Sequence, residues 1–73
     1  MKTYLTIFFS SEGASPSEVV ERLQSLGFAP TQGNYDFVYS WDKNVSVEEQ
    51  IWFADRIKAA LEGMQVHFKA ETV

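Results

Sequence analysis

This chain of 73 residues carries ten acidic side chains against six basic ones, a formal net charge of -4, and no cysteine. A chain of this length buries only ~60% of the surface that it exposes when unfolded, so we expect a single domain over residues 1–73. The acidic balance argues against nucleic acid and membrane surfaces as partners, and the lack of cysteine excludes a disulfide framework. The apolar run Leu5–Phe9 is too short for a signal peptide, and we expect a cytoplasmic protein.

The first predicted element is a strand over Thr3–Ser10, where apolar side chains alternate and aromatic and β-branched residues are frequent. A helix follows it. Ser15 and Glu18 form a capping box, Pro16 suits the first helical position, and Gly27 ends the helical periodicity. The first strand is apolar enough to lie at the centre of a sheet.

The stretch between the two helices is predicted to form a hairpin, with a loop and a single strand as the alternative. Gly33 and Asn34 suit a two-residue primed turn, so strands are expected over Phe28–Gln32 and Tyr35–Trp41. Because Pro30 has no backbone N–H to donate, the first of these strands should lie at a sheet edge.

A second capping box, Ser46 and Glu49, opens a helix predicted over about 47–62, and Gly63 ends it. The last strand is predicted over Met64–Thr72. The order β-α-β-β-α-β in so short a chain predicts an α+β ferredoxin-like plait, a four-stranded antiparallel sheet in the order 4-1-3-2 with both helices on one face. Without the hairpin, the alternative is a three-stranded β-α-β-α-β unit.

The second helix has an apolar stripe and one aromatic residue outside it. The stripe predicted to be buried is Val47, Ile51, Ala54, Ile57 and Leu61, with Phe53 at its flank. Trp52 lies almost opposite, and Arg56, one turn later, can cover its ring in a cation–π contact. Because exposed tryptophan is frequent in binding hot spots, Trp52 and Arg56 form one candidate interaction surface.

Segment 34–39 resembles in part the third-strand motif of RNA-recognition domains. Tyr35, Phe37 and Val38 match its two aromatic positions and the valine that follows, whereas Asp36 stands where the motif has a small residue. The resemblance covers only about eight residues. It implies that Tyr35 and Phe37 stack on bases from an open sheet face.

The opposite orientation of this strand is favoured, because burying Asp36 without a partner would cost several kcal/mol. The aromatic side of the strand is therefore predicted to face the core. Its members are Tyr35, Phe37, Tyr39 and Trp41. Tyr4 and Phe8 of the first strand, with Val38 beside them, would remain on the open sheet face. Such a patch is expected to bind a partner surface rather than bases.

Groups that could carry chemistry are sparse. His67, the single histidine, is predicted in mid-strand on the more polar side, and no acid and base can be placed together, so we expect no enzyme, no metal and no cofactor. The loop at Gly13, Ala14 and Ser15 leads into a helix N-terminus and offers backbone N–H groups to an anion. The signal is weak, since Glu12 would repel such a guest.

The sequence therefore predicts a non-enzymatic interaction or regulatory module. It would self-associate, as a homodimer, or bind a protein partner through the open-face residues or through the Trp52 surface. The alternative is a small-molecule-binding regulatory domain, with the ligand near Gly13 or at a dimer seam. Binding in the manner of RNA-recognition domains ranks below both.

Overall fold

A computed structural model describes all 73 residues of the chain. The elements are β1 Lys2–Phe8, α1 Pro16–Ser25, β2 Ala29–Pro30, β3 Phe37–Ser40, α2 Val47–Ala60 and β4 His67–Thr72. The four strands form one antiparallel sheet in the order β2-β3-β1-β4. The predicted α+β ferredoxin-like plait is confirmed, and the three-stranded alternative is wrong.

Both helices begin at the predicted caps. The Ser46 hydroxyl accepts from the Glu49 N–H at 3.1 Å, and the Glu49 carboxylate accepts from the Ser46 N–H at 3.3 Å. In α1 the Ser15 hydroxyl accepts from the Glu18 N–H at 3.4 Å, but the Glu18 carboxylate accepts from the Ser15 hydroxyl rather than from the Ser15 N–H, so the predicted capping box is only half formed. Gly27 follows the last turn of α1 at a φ of 103°, a conformation that costs glycine little. Neither helix has the length and the apolar composition needed to cross a bilayer.

β2 and β3 form the predicted hairpin, although both strands are shorter than the predicted Phe28–Gln32 and Tyr35–Trp41. Gly33, in the loop between the two strands, has a positive φ of 99°, a conformation that costs glycine little. Pro30 pairs with Phe37 in the edge strand, so its lack of an N–H costs the sheet nothing.

β1 is the central strand and pairs with β3 on one side and β4 on the other. Its ladder with β4 is unbroken, and it is extended by Lys2 and Val73, which exchange N–H···O bonds of 2.8 and 2.9 Å. β4 begins at His67 rather than at the predicted Met64. The reason is that Gln65 takes a positive φ of 56°, which interrupts the extended backbone.

The core lies between the sheet and the two helices, which therefore cover the same face. Its buried members are Leu5, Ile7, Val19, Leu23, Phe28, Phe37, Phe53, Ile57, Leu61 and Met64. Phe53 is central to an aromatic cluster, because its ring centroid lies 5.5 Å from Phe28, 4.6 Å from Tyr39 and 5.1 Å from Trp41. These distances are typical of favourable aromatic pairs.

The buried stripe of α2 differs from the predicted one. Phe53 is inside the core rather than at its flank, and it shares the buried side with Ile57. Val47 is 70% exposed and Ile51 is 58% exposed, so their predicted burial is wrong. The aromatic cluster accounts for the difference, because it requires the Phe53 side of the helix to face the sheet.

Candidate interaction surface

The face of the sheet opposite the helices is uncovered. Tyr4, Phe8 and Val38 lie on it, as the alternation predicts, with Tyr4 directly opposite Val38 in the β1–β3 ladder. Phe8 is 55% exposed and lies opposite His67 of β4. Half-exposed phenylalanine on an uncovered sheet leaves apolar area that a partner could bury.

Tyr35 also lies on this open face, and its predicted place in the core is wrong. Its ring stacks on Tyr4 with a centroid distance of 4.7 Å and an interplanar angle of 28°. Its hydroxyl donates to the Glu71 carboxylate at 2.8 Å, so the residue reaches across β1 to β4. We name Tyr4, Phe8, Tyr35 and Val38 the open-face patch.

Asp36 is the physical reason for this placement. Its N–H donates to the Leu5 carbonyl at 2.9 Å, and its carboxylate accepts from the Ile7 N–H at 2.8 Å. A side chain thus takes the place of the backbone carbonyl that a continuing β3 would supply, and the strand alternation is broken there. The sequence contained a signal for this break, namely an aspartate within an otherwise aromatic and apolar strand.

A small polar network fixes the Tyr35 ring. The Lys69 ammonium lies 3.2 Å from the Glu71 carboxylate, on the same face of β4. The hydrogen bond from Tyr35, and then Lys69, lower the pKa of Glu71 below its ordinary value. The same hydrogen bond and the negative charge of Glu71 raise the pKa of Tyr35. The pair is therefore a neutral phenol donating to an ionised carboxylate over the neutral pH range.

The variant Tyr35→Phe tests this network, because it removes the hydroxyl and keeps the ring. We expect the pKa of Glu71 to rise toward its ordinary value in this variant, measured by NMR titration of the side-chain carboxyl carbon. Tyr4→Phe is the control, since the Tyr4 hydroxyl makes no hydrogen bond to Glu71, and it should leave that pKa unchanged. An unchanged pKa in Tyr35→Phe would contradict the network.

The pH dependence of stability follows from the same two groups. Because the pKa of Glu71 is lowered by folding, its contribution is present above the ordinary glutamate pKa and is lost as the pH falls through the folded-state pKa. Because the pKa of Tyr35 is raised by folding, its contribution to stability is present below the ordinary tyrosine pKa and is lost as the pH rises through the folded-state pKa. Tyr35→Phe should flatten both limbs of the pH–stability curve.

The Trp52 surface lies on α2, outside the core. Trp52 is 55% exposed, and the Arg56 guanidinium carbon lies 5.2 Å from its ring centroid, in the contact that the spacing predicts. Arg56 thus covers part of the ring that a partner would otherwise contact. The Trp52 surface therefore ranks below the open-face patch as a binding surface.

The loop at Gly13, Ala14 and Ser15 is engaged within the chain. Gly13 donates its N–H to the Ser10 carbonyl at 3.1 Å, and Ala14 donates to the Met64 carbonyl at 2.9 Å. A Cβ at Gly13 would clash with that same Met64 carbonyl oxygen. The loop packs closely on the α2–β4 connection, and anion binding there stays a prediction.

Other candidate sites offer less. No group of three or more His, Asp or Glu side chains converges in a way that could hold a metal ion. His67 is exposed on the open sheet face. An apolar depression between α2 and β4 has a volume of about 200 Å³, and a polar one beside α1 has a volume of about 270 Å³. Both are below the ~300–1,000 Å³ of typical ligand pockets. The small-molecule alternative therefore gains no specific support from this geometry.

The two aromatic residues of the RNA-recognition resemblance lie on different faces. Phe37 is buried under the helices, and Tyr35 stacks on Tyr4 rather than standing free. The two rings therefore cannot form the shared base-stacking surface that the resemblance implies, because they lie on opposite faces of the sheet.

Comparison with models of known protein families, with curated proteins and with solved structures finds no match for this chain.

Proposed function

We propose that this chain is a non-enzymatic interaction or regulatory module whose open-face patch binds a protein partner. The observation that carries the proposal is the uncovered sheet face, where Phe8 is more than half exposed and Tyr4, Tyr35 and Val38 lie half-buried on the same face. The opposite face of the same sheet is buried by both helices. A partner would bury the side that the fold leaves open.

Order within the patch supports the proposal. The Tyr4–Tyr35 stack and the bond from Tyr35 to Glu71 hold two large rings in place before any partner arrives. Fixed side chains lose little conformational entropy on binding, so more of the contact energy remains as affinity. Tyrosine is also enriched among residues that dominate binding interfaces.

The charges around the patch indicate the chemistry of the partner. Lys2 and Lys69 lie on this face with one carboxylate, Glu71, which pairs with Lys69, whereas the chain as a whole has a net charge of -4. A protein surface with an apolar centre and a rim of carboxylates would match both features, and it would be steered to this face rather than to the acidic remainder. A cytoplasmic location remains part of the proposal.

The test is crosslinking from inside the patch. In cells that express the chain, Phe8→p-benzoylphenylalanine should give a discrete photo-adduct whose second component is identified by mass spectrometry. Gln24→p-benzoylphenylalanine is the control, because Gln24 is an exposed polar residue on α1. Adding Val38→Glu to the Phe8 variant should reduce the adduct at least roughly tenfold, since a buried charge opposes binding.

Equal yields from the two positions, or no adduct at Phe8, would contradict the proposal. An adduct formed only with the chain itself would show that the partner is a second copy of this chain, as the self-associating form of the hypothesis predicts.

A further inference from the structure

The outer edge of β4 is an unprotected strand edge. β4 pairs only with β1. As in any antiparallel ladder, the backbone N–H and C=O groups of every second residue of β4 bond to β1. Lys2 and Val73 exchange two backbone hydrogen bonds, so Glu71, Lys69 and His67 are the residues of β4 whose backbone groups bond to β1. The backbone N–H and C=O groups of three residues consequently face away from the sheet. These residues are Phe68, Ala70 and Thr72.

The two edges of the sheet differ in a way that matters for pairing. β2, at the other edge, is two residues long and contains Pro30, both of which discourage a further strand. β4 is six residues long, contains neither proline nor glycine, and has no bulge in its ladder with β1. Apart from its charged side chains Lys69 and Glu71, β4 therefore lacks the features that prevent the addition of another strand.

An apolar groove runs beside this edge on the helix side. Its lining includes Val47, Ile51 and Ala54 of α2 and Ala70 of β4. Val47 and Ile51 belong to the stripe that was predicted to be buried, and they are 70% and 58% exposed. The edge that can accept hydrogen bonds and the exposed apolar side chains of α2 are therefore adjacent.

We propose that a second copy of this chain pairs along β4, antiparallel to it and centred on Ala70, so that two four-stranded sheets join into one of eight strands. The β4 edge contains none of the four residues of the open-face patch, although its Lys69 and Glu71 lie on the same face of the sheet, and the proposal does not rest on the function proposed above.

Charge complementarity selects the occupant and the register. With the two-fold axis at Ala70, Ala70 pairs with its own copy and Phe68 pairs with Thr72, so all the outward backbone groups of β4 are used. On the open face Lys69, which already pairs with Glu71 of its own chain, then also lies directly opposite Glu71 of the second copy, in both halves of the dimer. Opposite charges at such positions stabilise a strand pair.

The neighbouring registers are unfavourable for the same reason. An axis at Lys69 would set Lys69 against its own copy, and an axis at Glu71 would set two carboxylates against each other. Each of these registers also leaves part of the outward backbone of β4 unpaired. The strand is thus complementary to itself in one register only.

The helix side agrees with this arrangement. The axis is perpendicular to the sheet, so both α2 helices lie on the same side of the joined sheet, and the two grooves meet across the axis. Val47 and Ile51 of each copy then approach those of the other. The small side chain of Ala70 leaves space for them at the seam.

Light scattering after size exclusion, from micromolar to millimolar protein, tests the proposal. We expect a mass that rises from 8.3 kDa to twice that value. In hydrogen-exchange NMR the amides of Phe68, Ala70 and Thr72 should become protected as the concentration rises, because they gain acceptors in the second copy. The amides of Lys69 and Glu71 already bond to β1 and should change less.

Charge exchange tests the register. Lys69→Glu should weaken the dimer by roughly tenfold, because two favourable pairs become like-charge pairs. The double variant Lys69→Glu/Glu71→Lys exchanges both charges and should restore the dimer, which separates an electrostatic effect from a failure to fold. Phe8→Glu lies outside the edge and should leave the dimer unchanged.

A monomer at all concentrations would overturn the proposal. So would a dimer that Phe8→Glu dissociates while Lys69→Glu does not, since the contact would then be the open face. A double variant no tighter than Lys69→Glu would exclude the Ala70 register. A monomer at all concentrations, or a failed double variant, leaves the crosslinking result at Phe8 unchanged, so the two proposals can fail separately. A dimer through the open face would instead appear in that experiment as an adduct of the chain with itself.

Discussion

Phe53→Ala is expected to lose about 3–5 kcal/mol of unfolding free energy, the range typical of truncating a buried phenylalanine. Phe53 is 5% exposed and contacts Phe28, Tyr39 and Trp41, so its removal leaves a cavity among rings that cannot easily close it. A single core below ~80 residues rarely supplies more than ~3–5 kcal/mol. The variant should therefore be largely unfolded at 25 °C, as measured by circular dichroism during urea titration.

Trp52→Ala is the matched control for this prediction. The residue is one position earlier in the same helix, is also a large aromatic, and is mostly exposed. Its loss removes the contact with Arg56 and should cost less than ~1 kcal/mol. Phe53→Leu gives a folded intermediate case, with an expected loss of ~1–2 kcal/mol. Similar losses for Phe53→Ala and Trp52→Ala would contradict the assigned core.

Asp36→Ala is expected to cost ~2–3 kcal/mol, a large effect for an exposed residue. The substitution removes a charge-assisted hydrogen bond and leaves the Ile7 N–H without its acceptor. It should also release Tyr35, so the Tyr35 ring should lose its fixed position on Tyr4. Urea unfolding gives the free energy, and nuclear Overhauser contacts between the two tyrosine rings report the position.

Asp36→Asn keeps an acceptor oxygen and should retain part of the stability and the tyrosine contact. Asp42→Ala is a second control, because the Asp42 carboxylate makes no hydrogen bond or ion pair, and it should change the free energy by less than ~0.5 kcal/mol. Equal effects at Asp36 and Asp42 would show that the Asp36 carboxylate does not hold the β1–β3 junction.

The fold was predictable because the residues that begin and end its helices and strands act locally. Ser46 with Glu49, and the glycines after each helix, act within one turn of chain, and Pro30 restricts its own strand whatever surrounds it. These features place the elements in order and assign one sheet edge. The strand order then follows from the general preferences for right-handed crossovers and short connections.

The candidate site was predictable only in part. Tyr4, Phe8 and Val38 follow from strand alternation, which is a local property. Tyr35 does not, because its position depends on the bonds of Asp36 to a strand some thirty residues away in sequence. The exposure of Val47 likewise depends on the competition of Phe53 for the sheet, and a helical wheel contains no information on which of two apolar sides wins.

The central position of β1 also sets the order in which the sheet assembles during synthesis. The strand that completes its outer side begins at His67, and at ~5–20 residues per second the intervening chain, roughly 60 residues, takes roughly 3–12 s to make. Throughout that time the newly made β1, with Tyr4 and Phe8, has one edge without its native partner. The rate of translation of residues 9–66 therefore sets how long an aromatic strand is available to neighbouring nascent chains.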